Sequence, residues 1–157
     1  MVWRESEAHP DMNELLAAKR AVPKSTDPEV LRRGWEEYAA RMQRPYPAGM
    51  TVSDLSLPTP GAGKAGTVPI RVYRPAGANA VSPCIVYLHG GAFTKGNLDS
   101  GDPVAWGIAD ITGLAVVSAD YRLAPEQPFP CGVEDCFGQG HVQTKSLRIQ
   151  GSGHGLE

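Results

Sequence analysis

Apolar residues recur at helical spacing through the first third of the chain and then change to strand spacing or short solid runs. After Pro10, Met12, Leu15 and Leu16 share one side of a 3.6-residue period that Lys19 continues. Asp11 and Glu14 stand at its positive end, so the spacing predicts a short amphipathic helix over 10–22. In "STDPEVLRRGWEEYAARM" Asp27 is an N-cap, Pro28 takes the first helical position, and Val30, Leu31, Trp35, Tyr38 and Met42 fall on one side. This is the stronger helix, despite Gly34 inside it.

The prolines of "RPYPAGM" end the helical period, and "TVSDLSLP" reads as a strand with Val52, Leu55 and Leu57 in imperfect alternation. "GAGKAG", 61–66, reads as a hairpin loop into "VPIRVYRP", where Ile70, Val72 and Arg74 alternate with Arg71 and Tyr73 across the sheet. "GANAVSP" is another turn. "CIVYL", 84–88, is a solid apolar run, the pattern of a strand buried on both faces of a parallel sheet. A helix from about Pro103 to Thr112 stops at Gly113, and "LAVVSAD" is a second buried strand. Strand, loop, helix and strand form a βαβ crossover, so the class is α/β with an antiparallel hairpin leading into a parallel sheet.

Composition narrows this picture. The 157 residues suffice for one ordinary domain, and 41% hydrophobic with 20% charged is ordinary globular usage. A net charge of −2 gives no electrostatic reason to bind nucleic acid or an anionic membrane, which leaves small neutral or weakly charged partners. The 18 glycines and 14 prolines imply many turns and few long helices. Cys84, Cys131 and Cys136 have no metal-ligand spacing and leave one odd in any pairing, so they read as reduced thiols with no metal site. The N-terminus is acidic where a signal peptide needs an apolar core, and no stretch reaches the roughly 18 apolar residues of a membrane span. A cytoplasmic protein is the expectation.

"GAGKAG" matches the dinucleotide fingerprint G-x-G-x-x-G, but Thr67-Val68-Pro69 and a β-patterned run follow where a helix N-terminus would have to receive the pyrophosphate. It reads as a turn. "LHGGAF" differs in context, because bare backbone begins where a buried strand ends, and unencumbered N–H groups there can bind negative charge developing on a reacting oxygen. Thirty residues on, at the end of the next buried strand, stands "SADYRLAPEQPFPCGVEDC".

"HGGAF", "DYRLAPE" and "PFPxxVEDC" at these separations resemble the hormone-sensitive-lipase-like branch of the α/β-hydrolase fold, a family of serine carboxylesterases and lipases, from about Asp11 to Phe137. The resemblance implies the N-terminal half of that fold. Residues 1–46 would be cap helices and 47–137 a partial hydrolase domain, acting without cofactor on small acyl esters. It also implies that the N–H groups of Gly91 and Ala92 form the oxyanion hole. Ala92 stands where a third glycine is commoner and is expected to serve by avoiding positive φ. His89 and Gly90 would shape the loop. Asp120, Tyr121, Arg122 and Glu126 would lock the turn beside it, with Arg122 in a partly buried carboxylate pair. Pro125, Pro128 and Pro130 would hold that segment extended, with Pro130 opening the helix "GVEDCF".

The rest of the family's machinery is not among these residues. No serine has glycine two before and two after it, so no G-x-S-x-G elbow is present. Ser152 and His154 are neighbours in a glycine-rich segment with no strand leading in, which lacks the preorganisation a dyad needs. The change of composition after Phe137 points to truncation or a change of reading frame near codon 138, with 138–157 an aberrant or disordered tail. The expectation is therefore an esterase by descent with no catalytic triad, inactive as it stands. Its "CIVYL" strand would have an open edge that invites self-association. The alternatives are a non-catalytic interaction protein and a fragment without function.

Overall fold

A computed structural model describes residues 9–58, 66–78 and 83–137. The "GAGKAG" loop up to Ala65, and the segment 138–157 with Ser152 and His154, lie outside the described residues.

A short 3₁₀ turn, Pro10–Met12, leads into α1 (Asn13–Ala21), and α2 (Pro28–Met42) follows. The expected cap is formed: the Asp27 carboxylate accepts from the Glu29 amide at 2.9 Å. Gly34 is inside α2 because Pro23, in the connection between the helices, packs on it. A Cβ at Gly34 would run into the Pro23 ring.

The sheet has the order β1-β2-β4-β3, built from β1 (Thr51–Pro58), β2 (Thr67–Arg74), β3 (Cys84–Leu88) and β4 (Ala115–Ala119). β1 and β2 are antiparallel from Thr51 opposite Arg74 to Pro58 opposite Thr67, β2 and β4 are antiparallel, and β3 and β4 are parallel. The alternation in β2 sorts the core as the sequence implies. Ile70 and Val72 join Val68, Val117 and Ala119 on one face. Tyr73 joins Val116, Ala105 and Ala109 on the other, with Ile85 and Tyr87 packed against them.

Three elements depart from expectation. The helix α3 runs Leu98–Thr112 and starts well before Pro103. Asn97 and Ser100 form a reciprocal capping box that fixes this earlier start. Pro103 has no N–H for the Asp99 carbonyl one turn back, and the Gln43 amide of the segment after α2 donates to that carbonyl instead, at 2.8 Å. The predicted stop holds: Gly113 is left-handed and its amide bonds to the Ala109 carbonyl.

Second, β3 is not buried on both faces. Among the described residues it pairs only with β4, and Val86 and Leu88 are 38% and 43% exposed. Third, the segment with Pro125, Pro128 and Pro130 is not extended. It makes successive turns, with the Gln127 amide bonded to the Leu123 carbonyl and the Cys131 amide to that of Pro128. Pro130 does open the helix α4 (131–137), its carbonyl accepting from the Glu134 amide.

Candidate oxyanion-binding site

β3 and β4 run parallel with Leu88 opposite Ala119, so the segments that leave them share one edge of the sheet. They are tied together there. The Tyr121 hydroxyl donates to the His89 carbonyl at 2.6 Å, the two rings stack with centroids 4.3 Å apart, and the Ala124 amide donates to the Phe93 carbonyl at 2.8 Å. The two sequence motifs are thus one structural unit.

Between them the chain turns sharply. Gly91 has φ +142°, Ala92 +53° and Phe93 +59°. The expectation that Ala92 avoids positive φ is overturned. The cause is the hub at the Gly91 carbonyl, which accepts from the Thr94 amide, the Thr94 hydroxyl and the Lys95 amide at 3.1 to 3.2 Å and winds the intervening residues left-handed. Each non-glycine residue held so is strained by about 1–3 kcal/mol. Gly91 itself cannot be replaced cheaply, since a Cβ there would run into the Lys95 carbonyl. Among the described residues no acceptor takes the Gly91 or Ala92 amide. Both residues line an open cavity of about 350 Å³ whose other walls include Leu88, Phe93, Val133 and Cys136.

His89 sits under this loop, 3% exposed, with Nδ1 3.1 Å from the Gly90 carbonyl and Nε2 3.9 Å from Asp120 Oδ1. An ion pair would raise the histidine pKa and lower that of the aspartate. The opposite holds: burial pushes His89 below the usual histidine value and Asp120 above the usual carboxylate value, outweighing their mutual attraction. His89 is therefore neutral at pH 7. With Nδ1–H donating to Gly90, its Nε2 is left buried without a hydrogen-bond partner among the described residues.

Arg122 forms the carboxylate pair expected of it, and the partner is Asp135 of α4. Nε and Nη2 each donate at 2.8 Å, and the Arg122 amide adds a third bond at 2.9 Å. Glu126 belongs to a different cation. Arg32 of α2 holds it through both oxygens at 2.7 and 2.8 Å, and this hydrogen-bonded pairing keeps its carboxyl down at about 2. Sequence reading did not single out Arg32, because an ion pair 94 residues apart leaves no mark in local periodicity, and Asp135 stood inside "PFPxxVEDC" without being named as the partner of Arg122.

A second polar cluster was also missed. Buried Asp102 accepts from Tyr46, Tyr73 and Arg71, and Arg71 also binds Asp54 and Asp99. Burial, then the hydrogen bond to Asp102, raise the Tyr46 phenol to about 12. The cluster pins β1 and β2 to the start of α3 and borders a cavity of about 460 Å³ between α2 and α3.

Residues 85–147 match the family model described as the alpha/beta hydrolase fold. Over 86 residues the chain is 45% identical to the carboxylic ester hydrolase LipN of Mycobacterium tuberculosis, covering 55% of this chain and 22% of that protein. The hyperthermophilic esterase of Pyrobaculum calidifontis superposes with a TM-score of 0.73 at 29% identity over 89% of this chain and 44% of its own. The chain carries part of the alpha/beta hydrolase fold and is similar to esterases, among them one of the bacterial hormone-sensitive lipase family. Over 108 residues it is also 36% identical to the ethyl acetate hydrolase of Pseudomonas putida, covering 68% of this chain and 33% of that one. It spans less than half the length of each of these relatives. Among the described residues no helix is long and apolar enough to cross a membrane.

Proposed function

We propose that this chain carries the oxyanion-binding loop, and the supports of that loop, of a hydrolase acting on small carboxylic esters. The Gly91 and Ala92 N–H groups would receive the negative oxygen of the tetrahedral intermediate, where a fixed pair of donors needs no reorganisation as charge develops. One observation carries the reading: at the carboxyl edge of β3 a left-handed turn leaves two successive amides without an acceptor among the described residues, beside a largely apolar cavity. Neutral His89 beneath the turn holds its backbone and brings no competing cation. Apolar walls at Ala92, Leu88 and Val133 suit an acyl chain, and a relative is named for ethyl acetate, whose acyl group is short. The nucleophile is no part of the proposal for these 157 residues, which contain no G-x-S-x-G.

The test joins residues 1–137 to the C-terminal part of the Pseudomonas ethyl acetate hydrolase and assays nitrophenyl acetate. The chimera should turn the ester over. Gly91→Pro in it, which removes the donor and cannot hold φ +142°, should lower kcat by at least about two orders of magnitude. A folded, active chimera indifferent to Gly91→Pro would remove the oxyanion role.

A further inference from the structure

The loop from Gly90 to Gly96 carries strain at Ala92 and Phe93 that has to be balanced by contacts outside it. Two carbonyls of the loop are fastened from other segments. That of Phe93 accepts from the Ala124 amide at 2.8 Å, and that of Thr94 accepts from Arg32 Nε at 2.8 Å. The same guanidinium reaches the other segment, since Nη2 donates to the Ala124 carbonyl at 2.8 Å while Nη1 and Nη2 grip Glu126. One side chain of α2 therefore closes a ring through Thr94, Phe93 and Ala124. The planar fork makes this possible: its donors are fixed in directions that a lysine ammonium cannot reproduce. Lys95, next in the loop, lies 4.9 Å over the ring of Trp35, so the helix touches the loop at a second point.

We infer that Arg32 is a positioning residue through which the docking of the N-terminal helices sets the shape of the oxyanion loop. Its consequence for ester chemistry rests on Gly91 and Ala92 being the donors proposed above. When α2 is seated, Arg32 holds the Thr94 carbonyl and the turn stays wound. When α2 lifts, the loop loses that anchor and the segment at Ala124 and Glu126 loses its link to the helix. The N-terminal helices then govern whether the two amides are in place.

The experiment is hydrogen exchange read amide by amide on the 157-residue protein, for the wild type, Arg32→Ala, Arg32→Lys, Glu126→Gln and Arg44→Ala. Arg32→Ala should speed exchange at Thr94, Lys95 and Ala124 by about tenfold or more, while the amides of β4 and the middle of α3 keep their protection. Arg32→Lys should recover less than half of the loss. Glu126→Gln, which leaves the guanidinium and its carbonyl bonds, should give a smaller effect than Arg32→Ala. Arg44→Ala, which breaks a pair between Glu14 of α1 and the segment after α2, should change nothing at the loop.

Butyrate is the probe for the donors. It should slow exchange at Gly91 and Ala92 in the wild type, with an apparent affinity weakened about tenfold in Arg32→Ala under conditions where both proteins are fully folded. Unchanged exchange at the loop in Arg32→Ala, or a loss of protection spread evenly over the whole chain, would overturn the inference. If butyrate leaves wild-type Gly91 and Ala92 untouched, the oxyanion reading fails, and Arg32 stands or falls on Thr94, Lys95 and Ala124.

Discussion

Arg122→Ala removes two of the three hydrogen bonds that Asp135, whose side chain is fully buried, receives from the described residues, and leaves the one from the Arg122 amide. Hydrogen bonds to a charged group are worth about 1.5–3 kcal/mol each, and breaking a buried pair typically costs about 3–5 kcal/mol because a charge is left behind. The Arg122 side chain is 28% exposed, so water enters the space it vacates and solvates part of that charge. The expected loss is about 3 kcal/mol, a large share of the stability of a small domain.

Asp135→Asn keeps the shape but sets an amide N–H₂ against the guanidinium, and should lose about 2 kcal/mol. Arg122→Met combined with Asp135→Leu should lose less than the sum of its single changes by about 2 kcal/mol or more, since it leaves neither charge stranded. Urea denaturation with an unchanged slope is the assay. A loss below about 1 kcal/mol for Arg122→Ala, or a coupling within about 0.5 kcal/mol of zero, would refute the view that this pair locks α4 beneath the site.

Three further outcomes are expected. The 157-residue protein should not hydrolyse nitrophenyl esters faster than its Gly91→Pro variant, and turnover abolished by a serine-directed phosphonate would contradict this. The open edge of β3, with Val86 and Leu88 exposed, should drive self-association that Val86→Lys reduces, as read by light scattering; an unmodified protein that is a monodisperse monomer would show the edge to be protected. Burial lowers the folded pKa of His89, so the unfolded chain takes up that proton first and stability should fall as pH drops through about 6.5. Asp120, raised by burial, acts with the opposite sign at lower pH, so the slope between about pH 7.5 and 5.5 belongs to His89 and should flatten in His89→Gln.

What could be read from the sequence was what repeats or caps locally. Asp27 and Pro28 announced α2, Gly113 announced the end of α3, and the alternation of Ile70 and Val72 with Tyr73 divided the core between the two faces of the sheet. Pro103 misled, because a proline usually marks the start of a helix and only the Gln43 side chain shows why one is tolerated inside. Ala92 misled for a related reason. A methyl side chain argues against positive φ, yet three donors on the Gly91 carbonyl impose it. Arg32 and Asp102 were hidden because each acquires its meaning from partners far along the chain, whereas Asp135, 13 residues from Arg122, stood inside the quoted "PFPxxVEDC" with no mark of which cation it would meet.

The central claim is that the Gly91 and Ala92 amides are poised to receive a negative oxygen. The most direct measurement is an amide nitrogen–proton NMR titration of the Val86→Lys protein with butyrate, whose carboxylate presents such an oxygen on a short acyl chain. The account predicts that both amides move together and saturate, with a dissociation constant on the order of millimolar, about −4 kcal/mol, while the amides of Gly77 and Gly113 stay still. Shifts that never saturate, or a saturable site that leaves Gly91 and Ala92 unmoved, would contradict it.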